Sequence, residues 1–207
     1  MKNSITIFMV LIGLIVNAQT YTFDYQLKIG KKNKMSPDRN FEGYSLIIDS
    51  KNPQYDIGLH NNSYGALSDN DKHIAYHFNY SQNKKIERFD FKNYLEFTPQ
   101  DEFEIAYIIV EKIEENKYSI KCYKEQNAKR PILDLIVFLK PYEDDLIRFY
   151  HLDLSHNIQT KIINSLKQKL NGNYILEEYT ANYRNSNSHY FIEKLDKINL
   201  TLSIPNK

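Results

Sequence analysis

The sequence predicts a mainly β (α+β) protein: an antiparallel curved sheet or incomplete barrel of about ten strands, with one amphipathic helix near the C-terminus. Three observations predict it. Period-two alternation recurs along the chain, most clearly at Tyr21, Phe23, Tyr25, Leu27 and Ile29. One segment, beginning near Ile158, carries a helical stripe. Turn-forming residues separate the segments at short intervals, which favours antiparallel neighbours.

The elements follow in chain order. Tyr21 to Ile29 alternates with Thr22, Asp24, Gln26 and Lys28, the pattern of a half-buried strand. Gly30 and the lysines after it end the strand, and a polar stretch runs to Asn40. Tyr44, Leu46 and Ile48 mark a strand over Gly43–Ser50, closed by Lys51-Asn52-Pro53. A short strand fits Gln54–Leu59. Residues 60–72 read as a polar loop, and this loop is the best candidate for a boundary in the chain. Ile74, Tyr76, Phe78 and Tyr80 alternate again, with His73, Ala75, His77 and Asn79 on the other face. Lys85–Phe91 follows as a strand, then a hairpin of Phe103–Ile113 and Lys117–Glu125. Ile132–Leu139 is nearly continuous apolar sequence, which suggests a central strand buried on both faces or a strand under a helix. Leu146–Leu154 is its expected partner.

Ile158, Ile162, Leu166 and Leu170 recur every four residues, and Ile163 widens the stripe. Ser155 or Asp153 is placed to cap this helix, Lys167 and Lys169 suit its last turn, and Gly172 suits its C′ position. Three further strands are expected at Tyr174–Tyr183, Tyr190–Leu195 and Ile198–Ile204.

The first residues read as an address. Lys2 gives a positive start, Ile5–Val16 is apolar apart from Thr6 and Gly13, and Val16-Asn17-Ala18 supplies the small-residue exit. Residues 1–18 are therefore expected to be a secretory signal peptide, cut between Ala18 and Gln19. The apolar run is shorter than the roughly 20 residues that span a bilayer, and no second long one follows. The only cysteine is Cys122, not the residue after the cut, so a released protein is expected rather than a lipid-anchored one. The expected location is the periplasm or the medium. A free Gln19 amine is able to cyclise to pyroglutamate. Lys2 is the one charged residue in the leader, so the +1 of the full chain becomes zero in residues 19–207, which read as a single β-rich globular domain.

Composition excludes several classes. Six Gly and six Pro in 207 residues rule out collagen-like and low-complexity chains. One cysteine cannot form an internal disulfide or a multi-cysteine metal site. The near-neutral balance argues against a nucleic-acid partner.

Few residue groups suggest chemistry. His73 and His77 on a strand stand roughly 13 Å apart at about 3.3 Å per residue, too far to share one ion. No metal site and no cofactor are expected. His151, Asp153 and His156 cluster at a strand-to-helix junction, where a base or an anion site is at home. No Gly-x-Ser-x-Gly or Ser-x-x-Lys motif accompanies them, so they stand as weak binding candidates with no catalytic assignment. Cys122 lies in line with Tyr118 and Ile120 and reads as a small core hydrophobe. The acidic runs at Asp101-Glu102, Glu114-Glu115 and Glu143-Asp144-Asp145 read as solvated charge, two of them in hairpin turns.

What remains is the aromatic content, 17 Tyr and 11 Phe without Trp. In a curved sheet some of these line an apolar cavity with polar tips, which suits a lipid or other amphiphile. The leading expectation is an exported, soluble, non-enzymatic protein binding such a ligand. The second is a structural or interaction protein of the cell envelope that pairs through a sheet edge with an envelope protein. The third is a hydrolase of unknown substrate.

Overall fold

The computed structural model describes residues 18–33, 44–61, 63–83, 86–150, 152, 154–183 and 186–205. The expected leader lies outside these apart from Ala18. Among these residues eleven antiparallel strands form one unclosed curved sheet, and a single helix packs against it. β1 (Ala18–Asn33) and β11 (Ser186–Pro205) pair at its centre. On one side lie β2 (Tyr44–Ile48), β3 (Tyr55–His60), β4 (Tyr64–Asp69), β5 (Ile74–Asn83) and the edge strand β6 (Ile86–Glu96). On the other lie β10 (Tyr174–Tyr183), β9 (Leu133–Pro141), β8 (Lys117–Tyr123) and the edge strand β7 (Tyr107–Glu114). Helix α1 (His156–Lys167) stands between β9 and β10 in the chain.

The two edge strands are consecutive in sequence. Residues 97–106 carry the chain from β6 across to β7, and ten residues reach at most about 33–36 Å. A flat sheet of eleven strands at about 4.8 Å spacing would be wider than that. The sheet therefore has to curl, and the strap of residues 97–106 bridges its open seam. Bulges assist the curl, because an extra residue increases local twist. In β11 the register slips opposite Asp24 and again between Lys28 and Ile29. Glu193 occupies the second slip and pairs with Lys28 at 2.9 Å. In β6 Lys92 is the extra residue opposite His77 and Phe78. It resets the alternation so that Phe89, Phe91 and Tyr94 all face Tyr80, Phe78 and Tyr76.

The strap also holds the helix. The Ser155 backbone N–H donates to Glu102 Oε2 at 3.0 Å, and its hydroxyl donates to Asp101 Oδ1 at 2.7 Å. That hydroxyl in turn accepts the Ile158 N–H, which makes Ser155 the N-cap. Lys161 reaches Asp101 at 3.7 Å. The first turn of α1 has no acidic residue of its own. Asp101 and Glu102 bring negative charge to its positive end, so this acidic run is docked rather than simply solvated. Phe103 and Ile105 anchor the strap against the main core.

There are two cores. Tyr25, Leu27 and Ile29 of β1, with β8, β9, β10 and Ile158, Ile162 and Leu166 of α1, form the larger. Tyr21 and Phe23 of β1, Ile57, Leu67, Tyr76, Phe78 and Ile204 form the smaller. β2 separates them: Leu46 and Ile48 enter the first, and Ile47 enters the second. Each fully buried Leu or Ile contributes about 1.5–3 kcal/mol relative to exposure. Cys122 is one of these core residues, and burial, reinforced by Asp134, pushes its thiol up to about 12.

Several expectations are corrected. Residues 60–72 are not one polar loop, because β4 runs through them between β3 and β5. Its buried positions are Gly65, Leu67 and Asp69, which do not read as an apolar face. Gly65 suits a crowded spot, since a Cβ there would lie 3.0 Å from Leu59 Cδ2 and the leucine would have to give way. The described residues of the expected strand Leu146–Leu154 instead form an irregular strip, bridged to the sheet in parallel from Leu146 to Ile175. The two last strands are one, β11, of 20 residues. His73 sits in a turn at φ 57° rather than in β5. Phe103–Ala106 belongs to the strap, not to β7. Gly172 lies beyond the Gln168 C-cap, in the following turn at φ 104°. In β9, Leu133, Leu135, Val137 and Leu139 are buried while the intervening residues are half-buried, so one face is covered more fully than the other.

A polar latch ties the start of β1 to the β4–β5 turn. Tyr21 donates to buried Asp69 at 2.7 Å, and Lys72 pairs with Asp69 at 3.1 Å. Gln19 Oε1 accepts from Tyr76 at 2.8 Å and from Lys72 at 3.1 Å. Burial alone pushes the Asp69 carboxyl up, but the Tyr21 hydroxyl and Lys72 outweigh it and hold it below 3.8. A carboxylate lowered in the folded state stabilises above its unfolded value, and the gain is lost as pH falls through the folded value. Asp69→Asn is expected to cost about 1–3 kcal/mol at pH 7. Urea unfolding at pH 7 and pH 3 checks this, and the gap between the variant and the parent should close at the lower pH.

Candidate functional site

Helix α1 buries one stripe, Ile158, Ile162 and Leu166, and turns a second toward the sheet. His156, Gln159, Thr160 and Ile163 on that second stripe form one wall of a cavity of about 430 Å³. The opposite wall comes from β2, β3 and β4. Register places Tyr44 beside His60, Ile48 beside Asp56, and Asp56 beside Ser68. Period two then puts Tyr44, Leu46, Asp56, His60 and Ser68 on the helix-facing side. The strip before the helix supplies Arg148, Phe149, Tyr150, Leu152 and Leu154. Rings continue across the sheet: Tyr44 to His60 at 5.0 Å, His60 to Tyr64 at 6.2 Å, and Tyr64 to His77 at 5.6 Å. Tyr64 and His77 are also hydrogen-bonded through Nδ1. A more open polar depression adjoins the cavity and shares Gln54, Asn70, His156 and Thr160 with it.

Two opposite charges face this cavity. Burial pushes the Asp56 carboxyl up to about 6, and Arg148 pulls the other way. Burial also lowers Arg148, against the pull of Asp145, Asp56, Asp49 and Asp24. Arg148 Nη1 donates to the Ile147 carbonyl at 2.9 Å. Among the described residues no carboxylate lies within the 4.0 Å ion-pair distance of Arg148, and no donor hydrogen-bonds to the Asp56 carboxylate. Asp145 is taken by Lys167, Asp49 by Tyr55, and Asp24 by Ser50. Burial lowers His156, partly offset by Asp71. Tyr44 is raised by burial and by Asp56.

Of the three residues singled out at the strand-to-helix junction, His151 and Asp153 lie outside the described residues. His156 is the first residue of α1 and lines the cavity. Ala18 and Gln19, the expected processing residues, lie in β1 opposite Pro205 and Ile204. Sequence reasoning missed Asp56 and Arg148. Asp56 lies in the short strand expected at Gln54–Leu59, and the helix above it makes its face an interior. Among the described residues no group of three or more His, Cys, Asp and Glu is arranged to hold a metal ion. No protein-family model matches the chain, and no curated protein matches it.

A raised carboxyl contributes its full stabilisation below its unfolded value of 3.8, and that contribution is lost as pH rises through about 6. At neutral pH Asp56 is therefore a standing cost. Asp56→Asn should melt higher than the parent at pH 8, with the gain shrinking steadily as pH falls toward 4. Thermal melts across that range check the sign, and a gain that does not vary with pH would refute it.

Proposed function

We propose that the chain is an exported, non-enzymatic protein that holds an amphiphilic ligand between α1 and the curved sheet. The cavity carries this reading. Its volume of about 430 Å³ falls within the roughly 300–1,000 Å³ of small-molecule sites. Leu46, Phe149, Leu152, Leu154 and Ile163 offer it an apolar wall, while Tyr44 and Tyr150 combine apolar rings with polar tips. A few charged groups, Asp56 and Arg148 among them, stand in the same lining, and such groups orient a ligand. The leader expected over residues 1–18 supports the export part. Among the described residues no helix is long and apolar enough to cross a membrane.

A second reading, pairing with an envelope protein through a sheet edge, draws on β6. This edge strand leaves Leu95 59% and Phe91 42% exposed, with Tyr94 and Phe97 beside them. Unpaired edges of this kind accept a partner strand.

Native mass spectrometry of the exported protein is expected to show a mature start at Gln19 and a retained small ligand. Ser68→Phe, which fills the cavity from β4, should release that ligand while the protein still melts cooperatively. A bare chain with no extractable amphiphile would overturn the binding reading, and a stable complex with an envelope protein would favour the edge.

A further inference from the structure

We infer that the cavity selects a net-neutral, dipolar head group, one that offers a carboxylate to Arg148 and an ammonium to Asp56 as a 2-amino acid does, with its apolar tail against Leu46, Phe149 and Ile163. This rests on the binding reading above. Two opposite charges face one cavity without closing into an ion pair. Taking an ion out of water is costly unless a partner replaces the water. Arg148 and Asp56 line the same cavity, yet no ion pair joins them. The aspartates that surround Arg148 at longer range are held by Lys167, Tyr55 and Ser50. Lys167, which also lines the cavity, is in turn neutralised by Asp145. Burial lowers His156 from its ordinary value, which disfavours its cationic form.

The site thus presents one positive and one negative group, and each ligand class meets it differently. An anion satisfies Arg148 but adds repulsion at Asp56. A cation does the reverse. An uncharged alcohol leaves both charges without a counter-ion. A zwitterion answers both and keeps the net charge of the cavity at zero. Gln54, Gln159 and Asn164 supply neutral hydrogen-bonding groups around the same space.

Four ligands with the same tail test this: 2-aminodecanoate, decanoate, decylamine and decanol, each titrated calorimetrically into the full-length exported protein at pH 7.5. The zwitterion should bind at least about tenfold more tightly than the other three. Asp56→Asn should abolish that advantage and move the preference to decanoate. Arg148→Gln should move it to decylamine. Opposite changes of preference from two substitutions in one cavity are not a result of general loosening. If all four bind alike, the head-group inference fails while the cavity reading stands. If decanol and the other three all fail to bind, the cavity reading fails with it.

Discussion

The pairing of β1 with β11 is the constraint on which the rest of the structure depends. These two strands are the longest, and each arm of the sheet grows outward from them. Their length forces twist, since about 16 residues at 3.3 Å would otherwise reach some 50 Å. Twist lets one strand serve two cores, with Tyr21 and Phe23 in one and Tyr25, Leu27 and Ile29 in the other. No disulfide assists, because the single cysteine is itself part of the packing. Cohesion comes from aliphatic and aromatic burial, with the polar latch at Asp69 fixing where β1 begins.

The cavity follows from how the helix is seated. Three residues on one stripe are drawn into the main core, and Asp101 and Glu102 pin the N-terminus. The neighbouring stripe is left standing off from β2, β3 and β4. Space there costs packing contacts, and two charges there cost solvation. Natural sequences retain such local conflicts chiefly where function requires them. The coincidence of a void with an acid and a base that attract each other without closing into an ion pair is what gives the site its weight.

Much of this fold was legible because the physics was local. β1 showed itself by unbroken alternation, and α1 by its stripe and by Ser155. The parts that were not legible depended on partners distant in sequence. β4 hid because a glycine and a buried aspartate occupy two of its three inward positions, and the aspartate is explained only by its distant partner Tyr21 and by Lys72. β11 looked like two strands because its bulges shift the phase of burial twice. The strip after β9 is apolar like a strand, but it covers the core rather than extending the sheet. Asp56 and Arg148 carry no local signature at all. Their significance arises when a helix is laid over a strand a hundred residues earlier.

The central pairing has a consequence in time as well as in space. Ala18 lies opposite Pro205 and Phe23 opposite Leu200, so the middle of the sheet is made from the two ends of the described chain. Contacts of such large sequence separation form late, after the entropy of closing the intervening chain has been met. The arm from β2 to β6 is built of local hairpins and is free to form early. The arm from β7 to β10 has local hairpins too, but neither arm has a centre until β11 arrives. A chain emerging from its N-terminus therefore stays without its organising ribbon until β11 is available. For a protein that we propose to be exported, that delay keeps the chain loose for threading and lets folding finish only on the far side.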